Sequence, residues 1–427
     1  MSSRGCSFFR LLSTYGLSKD AVRRSINLAL SHRGQAALRR VGLYDKVMAQ
    51  TIPMPTRAIH SKEGKIALQP YGTNGQAIYS VSRVLINCIL LDTVEAVDNV
   101  TLMFGCKVKG VDKSGIITYQ QAGETKTIAA RLVVGADGAY SSVRDSLLRM
   151  SRTNFSRFYI DHGYKELSIP ASDSGDFRLP TPHALHIWPR HEFMLIALPN
   201  SDRSFTCTMF APFKTFEELS TQSDAEIQQF FETNFPDAYP LIPDLVSQFH
   251  ENPTGPLVTI SLSSWNLKGM NAAFEDALFL DEMLERCGGD LTKAIPRFSE
   301  ERQPAGQGIS TLSLRNYYEM RSATASRLFR FQKVVEKWLH RWFPSLWVPQ
   351  YTMVAFTRIP YHEALAKADK QEAILKRTIQ VVGAIALAGA AYGVSKAVDW
   401  KAVAKTVGKA ALEVKGWLPG GASTKGD

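Results

Sequence analysis

LVVGADGAYSSVR, residues 132–144, holds three local signals in one short span. Leu132 to Val134 form an apolar, partly β-branched run that suits a strand buried on both faces. Gly135 and Gly138 bracket Ala136-Asp137 and permit a tight reversal. Ser141 or Ser142 then caps a helix through VRDSLLRM, with Leu147 and Leu148 expected to face inward. A strand, a glycine-bearing turn with one acid and a helix N-terminus together make a mononucleotide-type crevice at the carboxyl edge of a sheet. The segment alone is equally compatible with an ordinary βα turn.

Working outward, 427 residues suffice for two domains or one bilobed unit with a tail, and 45% apolar with 21% charged residues is ordinary for a packed core. The net charge of +10 suits an anionic cofactor, an acidic substrate or a membrane surface. No zinc-finger, leucine-zipper or aromatic-basic RNA-binding pattern occurs, so nucleic acid is not expected as a partner. Cys6, Cys88, Cys106, Cys207 and Cys287 are too scattered for a metal or redox pair and read as free thiols. His60, His162, His183 and His186 show no metal-ligand spacing, and no metal is expected.

Residues 1–23 carry Arg4, Arg10, Lys19 and Arg23 against the single acid Asp20, a composition that fits a mitochondrial presequence or a non-native leader. SHRGQAALRRVGL reads as a helix with Ala37, Leu38 and Val41 on one face and Gly42 at its end. IYSVSR alternates as a strand and delivers Arg83 at its close. LHIWP, FMLIALP and SFTCTMFAP, within 185–212, are strand-like runs separated by turn-formers and predict a mostly antiparallel sheet. Residues 223–233 and 269–289 have helical periodicity, with helices continuing through 291–303 and 308–340.

RSINLALSHRG, IPMPTRAIHS, PYGT, SVSR, VGADGAYSSVR, HGYKEL, HIWPR, ALPN, SFTCTMF, FPDA, GMNAAFED, NYYEMR and YTMVAFTRIPYHEA follow in order from about residue 24 to 366. In these motifs the chain resembles the kynurenine 3-monooxygenases, a family of flavoprotein aromatic hydroxylases. The resemblance implies an α/β fold with a flavin-hydroxylase-type nucleotide-binding lobe (24–160), an antiparallel-sheet substrate lobe (161–260), closing helices (261–345) and a membrane-associated C-terminal region (346–427). It implies FAD, NADPH and dioxygen as reactants, L-kynurenine as substrate and the mitochondrial outer membrane as location. It also implies Arg57, Tyr71, Asn271 and Tyr317 around the substrate, and Arg83 and Asp137 at the cofactor, with Arg33, Arg144 and Met270 as neighbours. Other readings are a silent membrane-tethered remnant, or a hydroxylase of another aromatic carboxylate.

Two departures stand out. No strand followed by Gly-x-Gly-x-x-Gly precedes Arg24, and SSWNLK (263–268) runs directly into Gly269 where the family carries a Gly-Asp-Ala-Ala-His stretch. Both segments cradle phosphate or ribityl groups, so the nucleotide lobe reads as incomplete and FAD binding as impaired. In the tail, the apolar run TIQVVGAIALAGAAYGV (378–394) reads as a membrane helix, or else as a buried or in-plane one. Next, DWKAVAKTVGKAALEVKGWL spaces Lys401, Lys405 and Lys409 as on a basic amphipathic helix.

Overall fold

The computed structural model describes residues 27–72, 75–151, 154–262, 270–321, 327–344, 346–397 and 405. The chain divides into two compact units, Met1–Ala366 and Lys367–Asp427.

The first unit is built on three sheets. Strands β1 (Asn27–Leu30), β2 (Ile52–Met54) and β5 (Ile78–Ser82) form an antiparallel sheet in the order β1-β5-β2. Helix α1 (His32–Arg40) and the five-residue α2 (Tyr44–Met48) follow β1, and α3 (Arg83–Glu95) leaves β5. Leu30, Leu38, Val47, Val81, Ile86 and Ile89 fill the core between them.

The central sheet joins β3 (Thr56–His60), β4 (Ile66–Pro70), β9 (Phe155–Ile169), β10 (Ala184–Arg190), β11 (Phe193–Pro199), β12 (Phe205–Pro212) and β13 (Gly255–Leu262). Its order is β13-β9-β12-β11-β10-β3-β4, antiparallel except where β10 pairs with β3. The three runs expected in 185–212 are β10, β11 and β12. A third, smaller antiparallel sheet comprises β6 (Cys106–Val111), β7 (Ile116–Gln121) and β8 (Glu124–Ala129).

Because side chains alternate along a strand, the central sheet has two different faces. One presents Leu167, Trp188, Leu195, Phe205, Cys207 and Met209 to Phe216, Phe231, Phe235 and Phe249. These phenylalanines come from α5 (Phe213–Ser220), α6 (Asp224–Asn234), the residue after α6, and α7 (Leu245–Glu251). Ser223 and Glu226 start α6 with a reciprocal capping box. The other face presents Ile59, Leu185, Ile187, Ile196 and Leu198 to Tyr71, Met320, Tyr351 and Phe356.

Helices α8 (Met270–Arg286), α9 (Leu291–Arg321), α10 (Arg327–Trp342), α11 (Gln350–Phe356) and α12 (Tyr361–Ala397) follow the central sheet in sequence. The expected breaks at 303 and 308 are absent: α9 runs through Pro296 and Pro304. A knot of buried charge ties α1, α8 and α9 together. Arg33 meets Glu275 at 2.5 Å, Glu275 meets Arg302 at 2.7 Å, and Arg302 also pairs with Asp276.

Several expectations are corrected. Residues 132–134 are not a strand: Val134 is 62% exposed, and among the described residues no strand pairs with them. A strand buried on both faces needs hydrogen-bonded neighbours on its edges, and here those neighbours are lacking. Helix α4 (Ser142–Met150) forms as expected, yet it buries Arg144 and Ser146 while Leu147 is 40% exposed. Val41 points outward past the end of α1. The run 378–394 lies within α12, but among the described residues no helix is long and apolar enough to cross a membrane. Its alanines, glycines, Thr378 and Gln380 dilute the apolar content below what a span needs. Most of the basic amphipathic stretch 399–418 lies outside the described residues, as do the leader, SSWNLK and Gly269. Cys88, Cys106, Cys207 and Cys287 are free thiols.

Candidate active site

Strand β3 turns Arg57 and Ile59 to the face opposite the phenylalanine-rich core, and Pro53 and Pro55 stiffen the chain leading into it. Tyr71 returns to the same place because its backbone N–H bonds the Pro55 carbonyl at 3.0 Å. The Arg57 guanidinium lies 5.1 Å from the centre of the Tyr71 ring and 4.5 Å from that of Tyr351. The two tyrosines stack at 4.9 Å, with Phe356 edge-on to both. Arg57 Nη1 stands 3.6 Å from Glu319 Oε1.

This cluster is short of acceptors. Arg57 Nε and Tyr71 Oη are buried and have no hydrogen-bond partner. Burial opposes the charge on Arg57, but Tyr71, Tyr351 and Glu319 outweigh it and push its pKa up. Burial, with Tyr351 alongside, pushes Tyr71 well above the usual phenol range; burial also raises Tyr351. At neutral pH the site therefore offers a fixed cation and protonated phenols, donors that match a carboxylate.

Of the other two expected substrate residues, only the Tyr317 side chain is described. Tyr317 packs against His162 and Phe210 in the neighbouring cluster with Ile160 and Met194. Its hydroxyl is buried without a partner, and burial raises it to about 12. Met320 and Ile196 touch both clusters, but no contact joins Tyr317 to Arg57 among those described. Asn271 and Met270 open α8; their side chains lie outside the described residues.

Tyr351 and Glu319, which sequence reasoning did not name, stand beside Arg57. NYYEMR and YTMVAF did carry the signal. On a helix, residues two apart point to nearly opposite sides, so Glu319 facing Arg57 turns Tyr317 away. Asn316, three before Glu319, shares its face and reaches Met320 Sδ at 3.8 Å.

The expected cofactor residues also separate. Arg83 is exposed in the first turn of α3, the helix end that attracts anions, with Ser82 capping Leu85 N–H at 3.4 Å. Its charge is felt by Glu166, which burial raises to about 7. Asp137 serves its own turn: it accepts the Ser141 hydroxyl and the N–H groups of Ser142 (2.7 Å) and Val143 (3.3 Å). Burial would raise this carboxyl, but those hydrogen bonds prevail and hold it low.

Arg33 is fully buried, bonding Glu275 and the carbonyls of Val354 and Ile359, with Tyr361 stacked 3.9 Å away. It has no face left for a flavin, which corrects its expected place beside the cofactor. Arg144 is spent on Asp145 and the Ala139 carbonyl.

Across the register of β9 and β12, Glu166 pairs with Thr208, and both keep a buried oxygen without a partner. Glu166 also lines a cavity of about 100 Å³ with Tyr164, Asn252, Pro253 and Gly255. Among the described residues, Arg83 and the α3 N-terminus are the features that suit an anionic part of a flavin cofactor. Asp137 is exposed and bonded within its own turn, and Arg33 is closed off by its partners.

Comparison with known proteins fixes the lineage. Residues 19–235 match the FAD binding domain family. The chain is 42% identical over 399 residues to kynurenine 3-monooxygenase of Sus scrofa, covering 88% of this chain and 84% of the relative. It is 36% identical to the Caenorhabditis elegans enzyme of the same name, covering 88% of this chain and 90% of the relative. For the Flavobacterium psychrophilum enzyme the identity is 38%, with 84% and 85% covered. Among solved structures, a tetrameric 2-methyl-3-hydroxypyridine-5-carboxylic acid oxygenase superposes with a TM-score of 0.56 at 20% identity, covering 69% of this chain and 82% of that one. Pseudomonas aeruginosa PqsL gives 0.55 at 16% identity, with 70% and 87% covered. At those identities the structures establish the shared α/β flavin-hydroxylase fold, while the sequence relatives establish more: the chain belongs to the kynurenine 3-monooxygenase family.

Proposed function

We propose that this protein hydroxylates L-kynurenine at the ring 3-position, as an FAD- and NADPH-dependent monooxygenase. One observation carries the substrate side: buried Arg57 Nε and Tyr71 Oη lack acceptors beside a pair of stacked tyrosines. A carboxylate docked there would satisfy both donors, and an aromatic ring could then lie along the apolar sheet face of Leu185, Ile187, Ile196 and Leu198. When bound, FAD would supply the redox chemistry, with NADPH as the reductant and dioxygen as the source of the oxygen atom. The chain holds the acid end of the substrate, fixes the ring against the sheet and excludes water. Arg83 at the start of α3 takes an anionic part of the cofactor.

The test uses the full chain reconstituted with FAD and supplied with NADPH and L-kynurenine, with the product identified chromatographically. Arg57→Met should raise KM by about 30-fold or more, the loss expected when a buried charge-assisted contact is truncated. An unchanged KM in that variant would overturn the carboxylate assignment.

The proposal extends to location: the protein sits at the mitochondrial outer membrane, with the exposed face of α10, which precedes the C-terminal region, toward the lipid. Val334, Trp338 and Trp342 recur every fourth residue on α10 and are 57–64% exposed. Phe343 and Leu346 continue the exposed face, and Arg341 borders it. Exposed tryptophans beside basic residues suit a lipid headgroup layer.

A further inference from the structure

Glu166 and Thr208 stand on the substrate face of the central sheet, in a row that the anchor at Arg57 does not use. On β9, Leu167 joins the phenylalanine-rich core, so Glu166 points to the opposite face. On β12, Cys207 and Met209 join that same core, so Thr208 shares the face of Glu166. The register sets Glu166 opposite Thr208, and Thr208 opposite Ile196 on β11. Opposed side chains stand about 5 Å apart at Cβ. The row therefore leads from Glu166 through Thr208 to Ile196, part of the apolar face proposed for the ring. Glu166 is half-buried, with Oε2 buried and unpartnered; Thr208 is fully buried, and its hydroxyl is unpartnered too. At the outer end of the row, Glu166 lines the partly open cavity of about 100 Å³, which has room for water. We infer that Glu166 and Thr208 form a proton relay from this cavity to the buried substrate face.

The inference rests on the hydroxylase reading, whose balance calls for such a path. NADPH gives two electrons as hydride and the ring C–H bond gives two more. Dioxygen takes all four, one oxygen entering the ring and the other leaving as water. The hydride hydrogen, the ring hydrogen and one solvent proton make up the new hydroxyl and the water. Each turnover thus draws one proton from solvent to a face that excludes water.

A carboxyl takes a proton on one oxygen and releases it from the other, and a hydroxyl accepts on a lone pair while donating its own proton onward. Burial raises the Glu166 carboxyl to about 7, against the opposing pull of the Arg83 charge on α3, so both of its forms are populated at neutral pH. The remaining neighbours leave that balance alone. Lys165 turns to the other face and donates to the Phe249 and Asn252 carbonyls at 2.8 and 2.6 Å. The Asn252 amide donates to the Glu166 backbone carbonyl at 2.8 Å, Tyr164 lines the cavity, and Thr208 carries no charge.

Two measurements on the full chain test the relay. Infrared spectra without FAD, in ordinary and heavy water, identify the protonated Glu166 carboxyl as the band missing from Glu166→Gln. That band should fade as pH rises through about 7 and shift promptly in heavy water, in the wild type and in Thr208→Val alike. With FAD, NADPH and L-kynurenine, Glu166→Gln and Thr208→Val should each lower kcat by about 100-fold with KM unchanged, and Glu166→Asp should keep part of the rate. Circular dichroism confirms that the variants are folded. A Glu166 band that neither titrates nor exchanges overturns the relay, as does a kcat that either variant leaves intact, or a loss that falls in KM. Each of those results, in a wild type that forms product, leaves the hydroxylase reading standing. A wild type that forms no product overturns that reading and the relay together.

Discussion

Glu275→Gln should be among the most destabilising single changes on the surface-remote side of α8. Glu275 is 3% exposed and bridges two guanidiniums, Arg33 at 2.5 Å and Arg302 at 2.7 Å. Arg302 keeps a second acid, Asp276, but the described ion pairs give Arg33 only Glu275. Neutralising Glu275 therefore leaves a fully buried cation held by the carbonyls of Met353, Val354 and Ile359 and the Tyr361 ring, with no carboxylate beside it among the described ion pairs. Breaking a buried pair from one side costs about 3–5 kcal/mol, because the remaining charge stays desolvated. A surface pair gives the contrast. Arg358 and Glu282 meet at 3.0 Å with side chains 41% and 26% exposed, and Glu282→Gln should cost less than about 1 kcal/mol. Chemical denaturation of the three proteins measures both differences. Replacing the buried pair together, Arg33→Met with Glu275→Leu, should recover much of the single-mutant loss. If Glu275→Gln costs no more than Glu282→Gln, the charge knot does not hold α1, α8 and α9 together as argued.

Glu166, raised to about 7 by burial, contributes stability that is full below the ordinary carboxylate range and is lost as pH rises through 7. Glu166→Gln should therefore melt at or below the wild-type temperature at pH 5 and above it at pH 8; a pH-independent difference would refute the burial argument. Asp137 has the opposite sign: its lowered carboxyl stabilises above the ordinary range and loses that contribution on acidification. Asp137→Ala should cost about 1 kcal/mol at pH 7, measured by denaturation, and less at pH 3. Trp338→Ala with Trp342→Ala should weaken binding to anionic lipid vesicles in co-sedimentation by about tenfold; undiminished binding would remove α10 from the proposed membrane face.

The parts of the fold legible in the sequence were those whose signal is local. Alternation in IYSVSR and in 185–212, and the three-to-four spacing around Phe274 and Leu278, need no distant partner to be read. Leu132–Val134 failed for the converse reason, since a doubly buried strand exists only if its neighbours do. Arg57 and Tyr71 were named through the family resemblance carried by IPMPTRAIHS and PYGT, since taken singly they read as a solvated arginine and a turn aromatic. Glu319 was not, because its role depends on which face of α9 meets β3, and a single motif does not give that phase. Arg33 reads as an ordinary helical arginine until α8 and residues 353–361 close over it.

Labelled dioxygen tests the central claim most directly. The full chain, reconstituted with FAD and given NADPH and L-kynurenine, should form 3-hydroxykynurenine carrying one labelled oxygen for each NADPH oxidised. Consumption of NADPH without label in the ring, or a chain that retains no flavin after reconstitution, would contradict the account.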